Sequence, residues 1–228
     1  MKKISLLCFC YSCGIWAAPA ATVLARWTFE VNPPPDAIDR AELGPVEADE
    51  GQGQAYGFHA AATADYSTPG GNGSANSLSS NSWRPGDYYE FRLATLQWED
   101  IVVTWDQART STGPGAFNFE YSTDGVTYVA FTTGYTVPVN AAPQAWSSSV
   151  RQPLFGFSAD LSGLAEVEHA AELRLRLRQM ESGLLATGAS RVDNFVVTAE
   201  TAATAVPEPS AAALGAVAVA AWLLRRRR

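Results

Sequence analysis

Apolar and polar residues alternate through the middle of the chain with the two-residue period of β-strands. In residues 87–94, Tyr89, Phe91 and Leu93 alternate with more polar neighbours. In residues 172–178, three leucines alternate with three arginines. Because successive side chains of a strand point to opposite faces, each segment predicts a strand with one face buried.

Other segments show the same pattern, and together they predict about eight to ten strands. They cover residues 23–30, 56–60, 101–109, 116–121, 126–132, 153–161 and 190–198. Asp124-Gly125 lies between two of these segments and predicts a hairpin turn.

The remaining segments predict little regular structure. A proline-rich stretch ends the first strand, and the acidic segment from there to Gln54 predicts a long surface connection. Residues 65–82 are rich in Ser, Gly, Asn and Thr, which predicts a loop. Residues 162–171 alone suggest a helical turn, with Ser162 as its cap. Many short strands without long helices predict an all-β fold, a jelly-roll-like antiparallel β-sandwich over residues 21–199.

The first twenty residues have the proportions of a signal peptide. Two lysines precede an apolar run at 4–16, and Ala18 and Ala20 fit a cleavage site. A second candidate site ends at Ala25, but cleavage there would cut into the first predicted strand. All three cysteines lie inside residues 1–20, so the exported chain would contain none. That excludes disulfides, thiol catalysis and cysteine-ligated zinc from the predicted domain.

The C-terminal segment combines three features that favour processing at a membrane. Pro207, Glu208 and Pro209 precede an apolar segment at about 211–224, which predicts a short transmembrane helix. Its length of roughly 21 Å is less than the ~30 Å hydrocarbon core. A run of four arginines follows and would hold the end of the chain on the cytoplasmic side: Arg225, Arg226, Arg227 and Arg228. Residues 200–206 would be a linker. The alternative to a processed C-terminal segment is a tail anchor that is never cleaved.

These three features together resemble the PEP-CTERM sorting signal of bacterial envelope proteins. The resemblance implies an exosortase-type membrane protease as partner, which would recognise Pro207, Glu208 and Pro209. It also implies export, with a membrane-anchored precursor that becomes a surface or extracellular protein. Several sequence segments of the body resemble a recurring cargo domain of the same family. The function of that domain is uncharacterised, and the segments are 25–30, 71–75, 86–91, 121–125 and 191–195.

The body of the chain is strongly acidic. Residues 21–206 contain 10 arginines, no lysine and 22 acidic residues, which gives a net charge of −12. Such a surface repels nucleic-acid phosphates and anionic lipids, so we predict no nucleic-acid partner.

Motifs of catalysis are sparse. The sequence contains no G-x-S-x-G, P-loop or H-E-x-x-H motif. His59 and His169 have no second ligand near them in sequence, which favours surface or satisfied core positions. Glu90 and Glu120 are a candidate glycosidase pair, although acids on the solvated faces of strands are the favoured interpretation. We therefore predict that the protein is not an enzyme. The alternative is a secreted hydrolase that acts on extracellular glycan.

Two acidic residues are candidates for a structural calcium site. Glu30 closes the first predicted strand and Asp193 lies in the last. Many extracellular jelly rolls that bind glycans hold calcium between these strands, and calcium prefers oxygen ligands. No D-x-D-x-D-G loop is present, and two acids do not complete a ligand shell.

Arginines and tryptophans are the candidates for contact with a glycan. Arg174, Arg176 and Arg178 would form an outward row that pairs with acids on neighbouring strands, or alternatively holds an acidic polysaccharide. Trp83, Trp98 and Trp146 would fill the core or stack on sugar rings. The favoured function is an exported envelope or matrix protein that is not an enzyme and interacts with polysaccharide.

Overall fold

The computed structural model describes residues 21–181 and 187–201, and within them the chain forms thirteen strands. The strands are β1 (Thr22–Trp27), β2 (Glu42–Glu47), β3 (Glu50–Gly51), β4 (Gln54–Phe58), β5 (Tyr66–Ser67), β6 (Leu78–Ser80), β7 (Tyr88–Leu93), β8 (Trp98–Arg109), β9 (Ala116–Ser122), β10 (Val129–Thr136), β11 (Gly156–Asp160), β12 (Leu173–Gln179) and β13 (Ser190–Thr201). A short 3-10 helix, Pro153–Phe155, precedes β11.

The strands form two antiparallel sheets. The seven-stranded sheet has the order β11-β8-β13-β1-β3, and β6 adds to β13 and β5 to β6. The six-stranded sheet has the order β10-β9-β12-β7-β4-β2. The first and last strands, β1 and β13, are neighbours. The predicted all-β antiparallel sandwich is confirmed.

Aromatic side chains from both sheets meet in the core. Phe91 of the six-stranded sheet stacks on Phe195 of the other sheet, with ring centroids 3.5 Å apart. Trp27 packs edge-on against both rings, at 5.1 and 5.9 Å. Full burial of such a side chain contributes roughly 1.5–3 kcal/mol, so this contact holds the two sheets together.

Two predicted loops contain strands, and in these places the sequence prediction is wrong. The segment before Gln54 includes β2 and β3. In β2, Leu43 and Val46 are buried but the pairing register shifts between them, at Gly44-Pro45. The shift breaks the two-residue period, and β2 is an edge strand, where proline is tolerated. Residues 65–82 include β5 and β6, which are too short to show a period.

Other boundaries differ because side chains form local turns. Asp124 accepts hydrogen bonds from the amides of Val126 (2.8 Å) and Thr127 (2.7 Å), so β10 begins only at Val129. The predicted helical turn at 162–171 is two successive tight turns. The amide of Ser162 is held by the side chain of Asp160, so Ser162 is not a cap there.

The predicted signal peptide, with Ala18 and Ala20, and the sorting signal at 207–228 lie outside the described residues. Within residues 21–181 and 187–201, no helix is long and apolar enough to cross a membrane.

Candidate functional site

The outer face of the six-stranded sheet, opposite the core, carries aromatic and charged side chains in three rows across β4, β7, β12 and β9. Pairing aligns them as Phe58–Tyr88–Arg178–Asn118, Tyr56–Glu90–Arg176–Glu120 and Gln54–Arg92–Arg174–Ser122. Neighbouring strands lie about 4.8 Å apart and the rows about 7 Å apart. We call these twelve residues, together with Tyr128 above them, the aromatic–arginine face.

The alternation of the strands fixes this arrangement. On β7, Tyr89, Phe91 and Leu93 are buried in the core, which turns Tyr88, Glu90 and Arg92 outward. On β12 the three leucines are buried in the same way, so the arginines point outward as predicted. The prediction that they pair with acids on neighbouring strands is confirmed for Arg176 with Glu90 and for Arg178 with Glu120. Arg174 pairs instead with Glu172, two residues before it in the chain.

Glu90 lies at the centre of the face and is fully buried. Its Oε1 accepts from Arg92 Nε at 2.6 Å. Its Oε2 accepts from the Tyr128 hydroxyl at 2.7 Å and from Arg176 Nε. Burial alone would raise the pKa of Glu90, but the hydrogen bonds from Tyr128 and Arg176, with the nearby positive charge, lower the pKa overall. The carboxylate is therefore ionised and neutralised by its neighbours.

Guanidinium groups hold the aromatic rings in place. Arg176 lies 3.8 Å from the ring centroid of Tyr88 and 3.3 Å from that of Tyr128. Arg92 lies 4.1 Å from the ring of Tyr56. Phe58 stacks on Tyr88 with ring centroids 5.1 Å apart. All four rings remain half-buried, so each is restrained and yet partly open to solvent.

Two clefts border the face on the β2 side. One, of about 190 Å³, is lined by Tyr56, Phe58 and Tyr88 together with Glu42 of the edge strand. A second, of about 530 Å³, has polar walls that include Gln52, Gln54, Arg92 and Glu172. Arg92 lines both clefts, so both clefts border the row of side chains to which Arg92 belongs.

Glu90 and Glu120, the candidate glycosidase pair, belong to this face but lie on opposite sides of Arg176. Their strands are two intervals apart, so their backbones are separated by roughly 10 Å. A general acid in a glycosidase needs a raised pKa, whereas the pKa of Glu90 is lowered. Glu120 accepts from Arg178 at 3.4 Å. The geometry does not favour acid–base chemistry by this pair.

A Ser–His–Asp chain that no sequence motif indicates lies inside the sandwich. His59 Nδ1 lies 2.9 Å from Asp87 Oδ2, and His59 Nε2 lies 2.9 Å from Ser80 Oγ. Ser80 Oγ is also 2.6 Å from the hydroxyl of Tyr89. All four side chains are buried. A nucleophile must reach its substrate, so we interpret this chain as a structural network.

The interpretation of His59 as a satisfied core residue is therefore confirmed. His169 is exposed, with Nε2 3.7 Å from Glu99. Trp83 and Trp146 are buried, as expected for core residues rather than sugar platforms. Trp98 packs half-buried against the core.

The two candidate calcium ligands contact one loop, residues 72–76. Glu30 lies beyond the end of β1 and accepts from the amide of Asn76 at 2.7 Å. Asp193, buried in β13, accepts from the amide of Asn72 at 2.7 Å and from the Ser74 hydroxyl. A Cβ on Gly71 would lie 2.4 Å from Asp193 Oδ2, so the loop approaches this closely only with glycine there.

The fit to a calcium ion is incomplete. Calcium takes six to eight oxygen ligands, and no group of three or more acidic, His or Cys side chains is placed to hold a metal in the described ranges. Burial raises the pKa of Asp193 to about 7, although hydrogen bonds from Ser74, Asn72 and Asn194 act to lower it. Calcium at Glu30 and Asp193 stays a prediction.

Comparison with known proteins places the chain near several β-sandwich structures. No protein-family model matches it, and no curated protein sequence does. The tandem CBM22-1–CBM22-2 domain of Paenibacillus barcinonensis Xyn10C shares 16% identity at a TM-score of 0.46, covering 82% of this chain and 49% of that one. The CBM22-1–GH10 modules of Clostridium thermocellum xylanase 10B share 13% identity at a TM-score of 0.43, covering 82% of this chain and 30% of that one.

A third similar structure is CtCBM11, with 9% identity and a TM-score of 0.40, covering 82% of this chain and 99% of that one. Similarity at this level is too slight to transfer a ligand. The chain spans less than half the length of the first two structures.

Replacing Glu90 with Gln should remove the charge that neutralises Arg92 and Arg176. We expect the free energy of unfolding at pH 7 to fall by about 3 kcal/mol, since one partner of a buried ion pair is lost. The folded-state pKa of Glu90 lies below its ordinary value of 4.5. Its stabilisation is therefore present above about pH 4.5 and lost as pH falls through the folded-state pKa. Urea denaturation at several pH values measures the difference between the variant and the natural protein, which should shrink in acid.

Glu50→Gln is the matched control, because Glu50 pairs with Arg26 while 53% exposed. That change should lower the free energy of unfolding by less than about 1 kcal/mol. A difference for Glu90→Gln that stays constant from pH 7 to acid would contradict the assignment.

For calcium, we expect the melting temperature of chelator-treated protein to rise when calcium is added, since a ligand bound only by the native state stabilises it. Glu30→Ala or Asp193→Ala should abolish the rise, and Glu50→Ala should preserve it. Differential scanning calorimetry at millimolar calcium measures the melting temperature of each protein. An unchanged melting temperature in the natural protein would refute the site.

Proposed function

We propose that this chain is a non-catalytic glycan-binding β-sandwich whose ligand lies along the aromatic–arginine face. The observation that carries the proposal is a cluster of half-buried rings, Tyr56, Phe58 and Tyr88, which line an open cleft on an otherwise charged sheet face. A sheet face that serves only solubility carries polar side chains. Flat rings supply apolar contact for the C–H face of a sugar, and neighbouring polar groups bond its hydroxyls.

The rings are also restrained before any ligand arrives. Tyr88 is held between Phe58 and the guanidinium of Arg176, and Tyr56 lies under Arg92. Immobilising a free side chain on binding costs roughly 0.5–1.5 kcal/mol. Restraint of these rings by the fold lowers that cost, which favours a binding surface.

The rival function, a secreted hydrolase acting on extracellular glycan, has less support. Its candidate acids Glu90 and Glu120 are both engaged by arginines. The Ser80–His59–Asp87 chain is enclosed in the core. Release of reducing sugar by the purified chain would nevertheless establish the hydrolase in place of the binding protein.

Tyr56→Ala and Phe58→Ala should each weaken glycan binding about tenfold or more, because each removes a ring that stacks on the sugar. A glycan array identifies the ligand, and calorimetry then measures the dissociation constants. Phe131→Ala is the matched control, since Phe131 is 39% exposed on the edge strand β10, away from the rings. Failure of the natural protein to bind any glycan, or equal affinity in all three variants, would refute the proposal.

The second part of the proposal concerns export. The predicted signal peptide and the segment from Pro207 to Arg228 support an envelope protein that a host releases or re-attaches after translocation. The proline residues favour an extended backbone that a protease can read. The short apolar segment holds the precursor in the membrane only weakly without its flanking arginines.

Replacing Glu208 should leave export intact but leave a full-length species in the membrane, because the leader and Arg225 to Arg228 still set the topology. Deleting the four arginines should instead let the apolar segment slip outward. Mass spectrometry of the C-terminus in the native host, with and without the protease, measures the outcome. An intact Arg228 on the surface protein, with the protease present, would identify a simple anchor.

A further inference from the structure

Hydrogen-bond donors and acceptors are unequally available on the aromatic–arginine face. Four of the ten arginines in residues 21–206 lie there: Arg92, Arg174, Arg176 and Arg178. Each is paired with a glutamate, but Glu90 serves two of them. The chemistry of the ligand follows from which atoms these pairs leave free.

The two acceptor oxygens of Glu90, at the centre of the face, are in use. Both oxygens of Glu90 accept hydrogen bonds, one from Arg92 and the other from Arg176 and Tyr128. Glu120 Oε1 accepts from Arg178 and from the side-chain amide of Asn118 at 3.3 Å. A ligand group that donates hydrogen bonds to Glu90 would have to compete with these arginines, and of the carboxylate oxygens of Glu90 and Glu120 only Oε2 of Glu120 has no donor among the described residues.

The donors, in contrast, are only partly used. Arg92 and Arg176 bond Glu90 through Nε alone, so neither Nη1 nor Nη2 of either residue has an acceptor within the described part of the chain. Each guanidinium carries five N–H groups, so four remain. The one fully enclosed side-chain atom without a partner there is Gln179 Oε1. The free Nη groups therefore reach solvent, and the side chains of Arg92 and Arg176 are 33% and 17% exposed.

The arrangement of these donors suits a planar anion. Two parallel N–H groups on one edge of a guanidinium match the two oxygens of a carboxylate. The stacking of Arg176 between Tyr88 and Tyr128 fixes its plane, so this edge has a defined direction. Arg92 lies at the junction of the two clefts, next to the ring of Tyr56.

We propose that the glycan bound by this face is acidic, with uronate carboxylates that pair with the free Nη groups of Arg92 and Arg176 while a neighbouring sugar ring stacks on Tyr56 or Phe58. This inference rests on the proposed function and assigns its ligand class. Carboxylates also border Arg92, since Glu42 lines the smaller cleft and Glu47 and Glu172 line the larger one. Of these, Glu172 is neutralised by its ion pair with Arg174.

The test compares polygalacturonate with the same polymer after reduction of its carboxyl groups, and with a sulfated neutral glucan. Calorimetry uses the purified full chain at physiological salt. We expect the carboxylated polymer to bind at least tenfold more tightly than either of the others. We also expect Arg92→Lys to remove most of that preference, since an ammonium lacks the planar pair of donors.

Arg26→Gln is the matched control, because Arg26 pairs with an exposed glutamate on the other sheet. It should leave the preference unchanged, and melting temperatures show whether each variant is folded. If Arg92→Lys does not fold, Arg176→Lys replaces it.

Equal binding of the reduced polymer would overturn the acidic ligand and leave the glycan-binding function in place. Tighter binding of the sulfated glucan, or equal loss in Arg26→Gln, would also overturn the assignment to these carboxylate contacts. Failure of every glycan to bind would refute the proposed function itself.

Discussion

The buried carboxylate of Glu90 is the interaction on which the outer face of the six-stranded sheet depends. A charge removed from water is costly unless it is paired and fully hydrogen-bonded. Glu90 meets that requirement with two guanidiniums and one phenol. Because the same guanidiniums stack on Tyr56, Tyr88 and Tyr128, satisfying one buried charge also fixes the rings. The same two arginines therefore neutralise Glu90 and position the aromatic rings.

The two-residue period of β7 couples this face to the core. Phe91 stacks on Phe195 of the opposite sheet, and its neighbours in sequence, Glu90 and Arg92, necessarily point outward. A slip of one residue in the pairing of β7 would place the ion pair in the core and the aromatic side chain in solvent. The packing that stabilises the sandwich thus also sets the register of the candidate site.

The sequence was sufficient for those parts of the molecule that depend on local pattern. The alternation in β7 and β12 predicts their buried faces, and the spacing of Arg174, Arg176 and Arg178 predicts an outward row. It was not sufficient for the face as a whole, because that face needs the strand order β4-β7-β12-β9, whose neighbours are distant in sequence. Tyr128 lies outside any strand, in the loop between β9 and β10, and its hydroxyl donates to Glu90, which is 38 residues away in sequence. No local sequence pattern predicts the contact between Tyr128 and Glu90.

The same limit explains the missed strands and the buried polar chain. β5 has two residues and β6 three; β6 forms because β13 offers it an edge, and β5 forms on β6 in turn. His59, Ser80 and Asp87 come from three separate segments, and each is unremarkable in sequence. In both cases long-range pairing decides the structure, whereas sequence patterns report only near neighbours.

Net charge and local charge act differently on a polymeric ligand. A body with 22 acids and 10 arginines repels a polyanion in proportion to all the charges the polymer carries. The attraction is confined to the few guanidiniums with free Nη groups, so it grows only with the ligand charges that reach them. For a densely charged polymer such as a nucleic acid, the repulsion from the acidic body therefore increases more than the attraction to these arginines. A polyuronate carries one carboxylate per sugar ring, a lower charge density than that of duplex DNA, and its ring faces can contact the aromatic side chains while its carboxylates contact the arginines.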